Sequence, residues 1–234
     1  MRVLSGSFSK LLIMMVFFLS MGSIAQAGPW EHVKTERGVK VYQQQSEGRD
    51  LPIFKGESVI EANIYALLAV ISDFDRHKEW MHGCHTARLL KRVDELHLLS
   101  YNRTDAPWPV DDRDVVLESR VSIQAEKHTV QINFQATRSP LQPEVEGVVR
   151  MTRLKGYYRL KALSSTRTHV MYQVDADPAG AIPTWVAEMI VSDMPVNTLN
   201  NLREQVGKAK GQYGAFLKRW DPTQNPEAPN VVPD

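Results

Sequence analysis

The residues best placed to do chemistry are charged groups set into alternating apolar runs. Arg113 shares the two-residue phase of Val115, Leu117 and Val121, so in a strand it points to the apolar side. A buried guanidinium needs a partner, and Asp112, Asp114 and Asp175 are the candidates. The result is either an ion pair at a strand end or a polar clasp for the head group of an otherwise apolar ligand. Arg150, Tyr172 and Asp175 carry the same two readings. His82-Gly83-Cys84-His85, with His77 nearby, holds imidazoles and a thiol. Without a distant further ligand it makes a poor zinc site, so no metal is assigned. The chain has no Gly-x-Ser-x-Gly, His-Glu-x-x-His, Cys-x-x-Cys or glycine-rich phosphate loop. No carboxylate or histidine spacing singles out an acid/base pair, so no catalytic residue and no cofactor are assigned.

The elements that must position these groups follow from periodicity. Gly38-Val39-Lys40-Val41-Tyr42 alternates, and residues 51–59 form its expected partner. A helix over 61–71 places Ile64, Leu67, Leu68 and Ile71 on one face. From Ala87 to Ala176 the period is two. Strands are expected around 96–101, 115–124, 130–136, 148–154, 157–162 and 169–174, with Leu154-Lys155-Gly156 as a tight connection. One amphipathic helix over 182–217 closes the chain, bent or interrupted where Asp193 and Pro195 read as N-cap and first-turn proline. From Pro195 it would run about 37 Å at 1.5 Å per residue. The class is α+β. A long antiparallel sheet curls, and the last helix fills its concave side. A curved sheet and a single helix meet imperfectly, which leaves either a cavity or a filled core between them. Trp80, Trp185, Met189 and Met194 are candidates for its wall or mouth, or for ordinary packing.

Residues 1–27 read as a leader. Arg2 and Lys10 precede Glu31 as the only charges, Leu11 to Leu19 is apolar, and Ala25-Gln26-Ala27 is a small-x-small cleavage pattern. Export is expected, to the periplasm if the source is a double-membraned bacterium. The full chain has 28 Lys+Arg against 27 Asp+Glu, and losing the two leader cations leaves a net charge of −1. No basic face points to nucleic acid. With Cys84 as its one cysteine, an exported chain is stabilised by packing alone. Residues 28–219 suit one domain, and the Pro/Asn-rich tail 220–234 reads as disordered.

Two blocks give the sequence a family resemblance. Ala106-Pro107-Trp108-Pro109-Val110-Asp111-Asp112-Arg113-Asp114 enters a strand, and Asp177-Pro178-Ala179-Gly180-Ala181-Ile182-Pro183-Thr184-Trp185 enters the last helix. With Gly38 to Tyr42, Phe54-Lys55-Gly56 and Val148-Val149-Arg150-Met151, they resemble the START family of lipid-transfer domains over about residues 30–219. The resemblance implies a helix-grip fold, a curved antiparallel sheet wrapped around a long C-terminal helix with a lipid-sized hydrophobic tunnel. It also implies non-covalent binding, and often transfer, of a lipid or sterol-like molecule. Trp108 is stiffened by its flanking prolines and is a candidate ligand contact. The expectation is a non-enzymatic monomer in transient contact with membranes. Two alternatives stay open: a helix-grip enzyme of cyclase or hydrolase type acting on a hydrophobic substrate, and an interaction module with a vestigial cavity.

Overall fold

The computed structural model describes residues 28–45, 51–180, 182–208 and 211–233. The expected leader, residues 1–27, lies outside the described residues. Ten strands form one sheet: β1 (Glu31–Glu36), β2 (Val39–Gln44), β3 (Ile53–Ile60), β4 (Cys84–Arg92), β5 (His97–Thr104), β6 (Asp112–Gln124), β7 (Thr129–Ala136), β8 (Val148–Arg150), β9 (Arg153–Ser164) and β10 (Arg167–Asp177). Their order is β1-β2-β3-β10-β9-β7-β6-β5-β4, antiparallel throughout, with the short β8 alone pairing parallel to β6. Among the described residues three helices accompany it: α1 (Ile64–Ser72), α2 (Thr184–Lys208) and α3 (Gly214–Trp220). A 3-10 turn, Phe74–Glu79, follows α1. This is the expected α+β helix-grip arrangement.

Local chemistry explains the framework. Asn63 caps α1 by accepting from the Tyr65 N–H at 2.7 Å, which satisfies one orphan donor of the first turn. On β9 the inward residues Tyr158, Leu160 and Ala162 are buried while Arg159 and Lys161 face solvent, a two-residue phase. The core joins Val39, Val41, Phe54 and Ile60 of the sheet to Ile64, Leu67 and Leu68 of α1 and to Val196, Leu199 and Leu202 of α2.

Three expectations differ from the structure. First, the last helix is not interrupted at Pro195: α2 begins at Thr184 and runs through that proline to Lys208, and the break comes later, before a separate α3. Asp193 is a mid-helix residue that accepts from Lys34 Nζ at 2.8 Å. At Pro195 α2 lies tightly on β3, which requires glycine at position 56. A Cβ on Gly56 would sit 2.9 Å from Pro195 Cβ and 3.1 Å from Leu199 Cδ1.

Second, Leu154-Lys155-Gly156 is not a turn; β9 passes straight through it. Gly156 is glycine because Phe134 fills the space above it. A Cβ there would meet Gln173 O at 2.2 Å and Phe134 Cζ at 2.6 Å. Third, the C-terminal segment is packed rather than disordered. Tyr65 Oη donates to the Pro229 carbonyl at 2.5 Å and accepts from Val231 N at 2.9 Å, and Val231 is fully buried. These contacts strap the tail across α1.

Candidate functional site

Between the inner face of the sheet and α2 lies a cavity of about 200 Å³. An engineered cavity of about 150 Å³ already holds benzene, so this space is larger than a packing defect. One wall comes from the inward phase of the strands, including Val115 and Leu117 of β6, Ile132 and Phe134 of β7, and Tyr172 and Val174 of β10. The opposite wall is one stripe of α2: Val186, Met189, Ile190, Met194 and Thr198, at steps of three and four residues. Pro107 and Val110 from the β5–β6 loop, with Pro178 and Ile182 from the β10–α2 connection, border one end. Trp108 and Trp185, in the same two segments, are 89% and 49% exposed. Two large apolar rings therefore flank that end of the cavity.

The lining is mostly apolar, with a few buried polar groups. Tyr158 and Tyr172 stack at 4.6 Å with 17° between their planes, and Phe134 stands 6.0 Å and 6.4 Å from them. Burial pushes both phenols upward, so they are neutral over the whole physiological range. His77 is fully buried, its Nε2 2.8 Å from the Ile71 carbonyl oxygen. Burial lowers its pKa to about 4, against the smaller opposing effects of that bond and of Asp75. Asn102 Oδ1, Thr198 Oγ1 and His77 Nδ1 are buried without a partner. Among the described residues no three His, Cys, Asp or Glu side chains converge on a metal site. Burial raises the Cys84 thiol to about 11.

The sequence-derived candidates divide. Arg113, Tyr172 and Met189 line the cavity. Arg113 does not pair with Asp112, Asp114 or Asp175. Its Nε donates to Pro178 O at 3.3 Å, Nη2 to Ala179 O at 3.2 Å, and Nη1 to Asp111 O. It therefore pins the β10–α2 connection to β6. Arg150 lies on the other face of the sheet, where Nε and Nη2 grip Asp114 Oδ1 and Oδ2 at 2.6 and 3.0 Å. Asp175 also faces outward, alternating with Tyr172 and Val174, with Lys155 Nζ 3.6 Å away. Trp80 is core, 1% exposed and packed edge-on against His77 at 5.1 Å. Trp108 and Trp185 point to solvent rather than into the cavity. Sequence reasoning passed over Tyr158, Asn102 and Thr198 and weighed His77 only as a metal ligand. Asn102 carried a readable signal, a polar residue in the inward phase of Leu98 and Ser100.

A sheet gripping one long helix around an apolar cavity defines a class of proteins built to enclose a hydrophobic body. Residues 17–212 match the START domain, and the chain belongs to that family. Membership gives it a lipid-binding or lipid-transport role at the level of the family. A Pseudomonas aeruginosa protein of uncharacterised role is 34% identical over 184 residues, covering 79% of this chain and 90% of its own. The Bos taurus phosphatidylcholine transfer protein is 27% identical over 177 residues, covering 74% and 82%. Among solved structures, a fragment of the STAR-related lipid transfer protein of Xanthomonas axonopodis superposes with a TM-score of 0.69 at 31% identity, covering 76% of this chain and 98% of that one. The human StAR-related lipid transfer protein 5 shares the fold, with a TM-score of 0.67 at 18% identity over 76% and 86% of the two chains.

Proposed function

We propose that the protein binds one hydrophobic molecule non-covalently between the sheet and α2, and carries it between membranes without altering it. The observation that carries this reading is the apolar stripe of α2 facing an equally apolar sheet across an unfilled space. Burying a chain of ten methylenes gains roughly 8 kcal/mol at about 0.8 per methylene, before the cost of ordering. That suffices for micromolar affinity without a covalent bond. Loading occurs at the end bordered by Pro107, Val110 and Ile182, with Trp108 and Trp185 resting in the membrane interface, where indole rings partition well. The leader pattern at 1–27 supports action outside the cytoplasm, in the periplasm where the cell has two membranes.

Extraction of labelled lipid from vesicles tests the carrier. Wild type withdraws lipid that is recovered chemically unchanged. Met189→Trp, which fills the space behind the mouth, lowers uptake of every lipid at least about tenfold. Folded wild type that extracts nothing, or that returns an altered lipid, would overturn the reading.

A further inference from the structure

Two acceptors on residues that line the cavity have no donor. His77 is held in the 3-10 turn Phe74–Glu79, its ring 4.9 Å from Phe74 and 5.1 Å from Trp80. A carbonyl oxygen can only accept, so the 2.8 Å contact with Ile71 O fixes the proton on Nε2. The other nitrogen, Nδ1, is then a bare lone pair; it is buried and meets no donor. Because burial keeps the ring uncharged down to about pH 4, this acceptor persists at neutral pH.

Asn102, on the inward phase of β5 and 7% exposed, repeats the pattern. Its Nδ2 donates to Met81 Sδ at 3.8 Å, leaving Oδ1 without a donor. The opposite amide orientation would set Oδ1 against a thioether, which has nothing to donate. Met81 N also donates to His77 O at 2.7 Å, so both orphan acceptors flank Met81. His77, Met81 and Asn102 all line the cavity. The hydroxyl of Thr198 is likewise unpartnered, but a hydroxyl can rotate to donate or accept. The imidazole lone pair and the amide oxygen cannot. They demand a donor.

The charged groups along the cavity are engaged in holding its own loops. Arg113 is directed to the carbonyls of Asp111, Pro178 and Ala179. Asp105, exposed, pairs with His85 at 2.9 Å. His82 also lines the cavity, in the partly exposed loop that leads into β4.

We infer that the cargo is an amphiphile whose head is a hydrogen-bond donor, a hydroxyl or an amide N–H given to His77 Nδ1 and Asn102 Oδ1. This rests on the carrier reading and narrows it from lipids in general to lipid alcohols and amides. A buried acceptor left empty disfavours an analogue that lacks the donor, and discrimination of this kind reaches a factor of ten and beyond.

The test is competition against a bound fluorescent apolar probe by hexadecanol, hexadecanamide, hexadecyl methyl ether and phosphatidylcholine. Wild type prefers hexadecanol, hexadecanamide or both to the ether by about tenfold, and the pattern tells hydroxyl from amide. The ratio collapses toward one in His77→Phe with Asn102→Leu, while affinity for the ether is retained. A purely structural role for these residues would weaken all competitors together. If the double variant fails to fold, Asn102→Leu alone reads the same ratio and is expected to reduce it. Equal binding of the ether and both donors by wild type, or preference for phosphatidylcholine, would overturn the inference and leave the carrier standing. Failure of wild type to bind even the fluorescent probe would instead remove the carrier reading, and this inference with it.

Discussion

The two faces of β6 solve the same problem in opposite ways. On the outer face Asp114 is fully buried, and every strong partner it needs is supplied. Arg150 grips both of its oxygens and Tyr101 Oη donates to Oδ2 at 3.1 Å. Arg150 reaches on to the carbonyls of Gln142 and Pro143, and Arg88 reaches Gln142 Oε1. On the inner face, across the same sheet, His77, Asn102 and Thr198 each bury a polar atom without a partner. Buried polar groups are nearly always satisfied, so the outer cluster reads as architecture and the inner set as positions awaiting something else. The contrast also separates two arginines that look alike in sequence. Arg150 neutralises a carboxylate, whereas Arg113 organises a loop.

Breaking the outer cluster should have the largest effect. Asp114→Ala strands Arg150 and Tyr101 in a buried site, and removing one partner of such a pair costs about 3–5 kcal/mol. Urea unfolding measures it. A loss under about 1 kcal/mol would mean that the cluster is not the structural keystone its geometry implies. If the comparison holds, the folded fraction of Asp114→Ala still binds hexadecanol as wild type does, because the damage lies on the face away from the cavity.

The inner face contributes a pH dependence through His77. The His77 pKa is lowered to about 4 by burial, from an ordinary value near 6.5. Between these values the unfolded chain binds the proton more readily than the folded one. Stability is therefore fully present above about pH 6.5 and declines as pH falls toward 4, by about 3 kcal/mol in total at 1.36 kcal/mol per unit. Subtracting the stability profile of His77→Phe from that of wild type isolates this contribution. A flat difference between pH 4 and 6.5 would show that His77 is accessible to protons in the folded state, contrary to its burial.

What could be read in advance follows a physical divide. Period-two alternation carried the sheet, and the phase of Val115 and Leu117 correctly turned Arg113 inward. Its partners were not legible because they are main-chain carbonyls brought from the far end of β10, and a carbonyl has no sequence signature. The same holds for Pro195 and Gly156. Local rules make the first a helix break and the second a turn; α2 runs through Pro195 all the same, and Gly156 is glycine because of a neighbour distant in sequence, Phe134. Composition misread the tail, since a Pro/Asn-rich segment gives no hint that Tyr65 will hold it. Motif reasoning sought charged head-group ligands, and so passed over an uncharged imidazole and an amide.

The smallest effect on stability should come from Trp108, and it sharpens the comparison at the cavity mouth. Trp108 is 89% exposed, so truncating it removes almost no buried surface. Trp108→Ser should stay within about 0.5 kcal/mol of wild type in urea unfolding. A large ring held in water on a loop that borders the cavity is nonetheless unfavourable unless it is used elsewhere, and indole favours the lipid interface. The variant should therefore extract lipid from vesicles several-fold more slowly, with unchanged affinity for hexadecanol delivered in solution. Trp185→Ser, half-buried at the start of α2, should show the same kinetic defect with a larger loss of stability. An extraction rate equal to wild type in both variants would separate the mouth from the membrane and leave the two tryptophans without a role in loading.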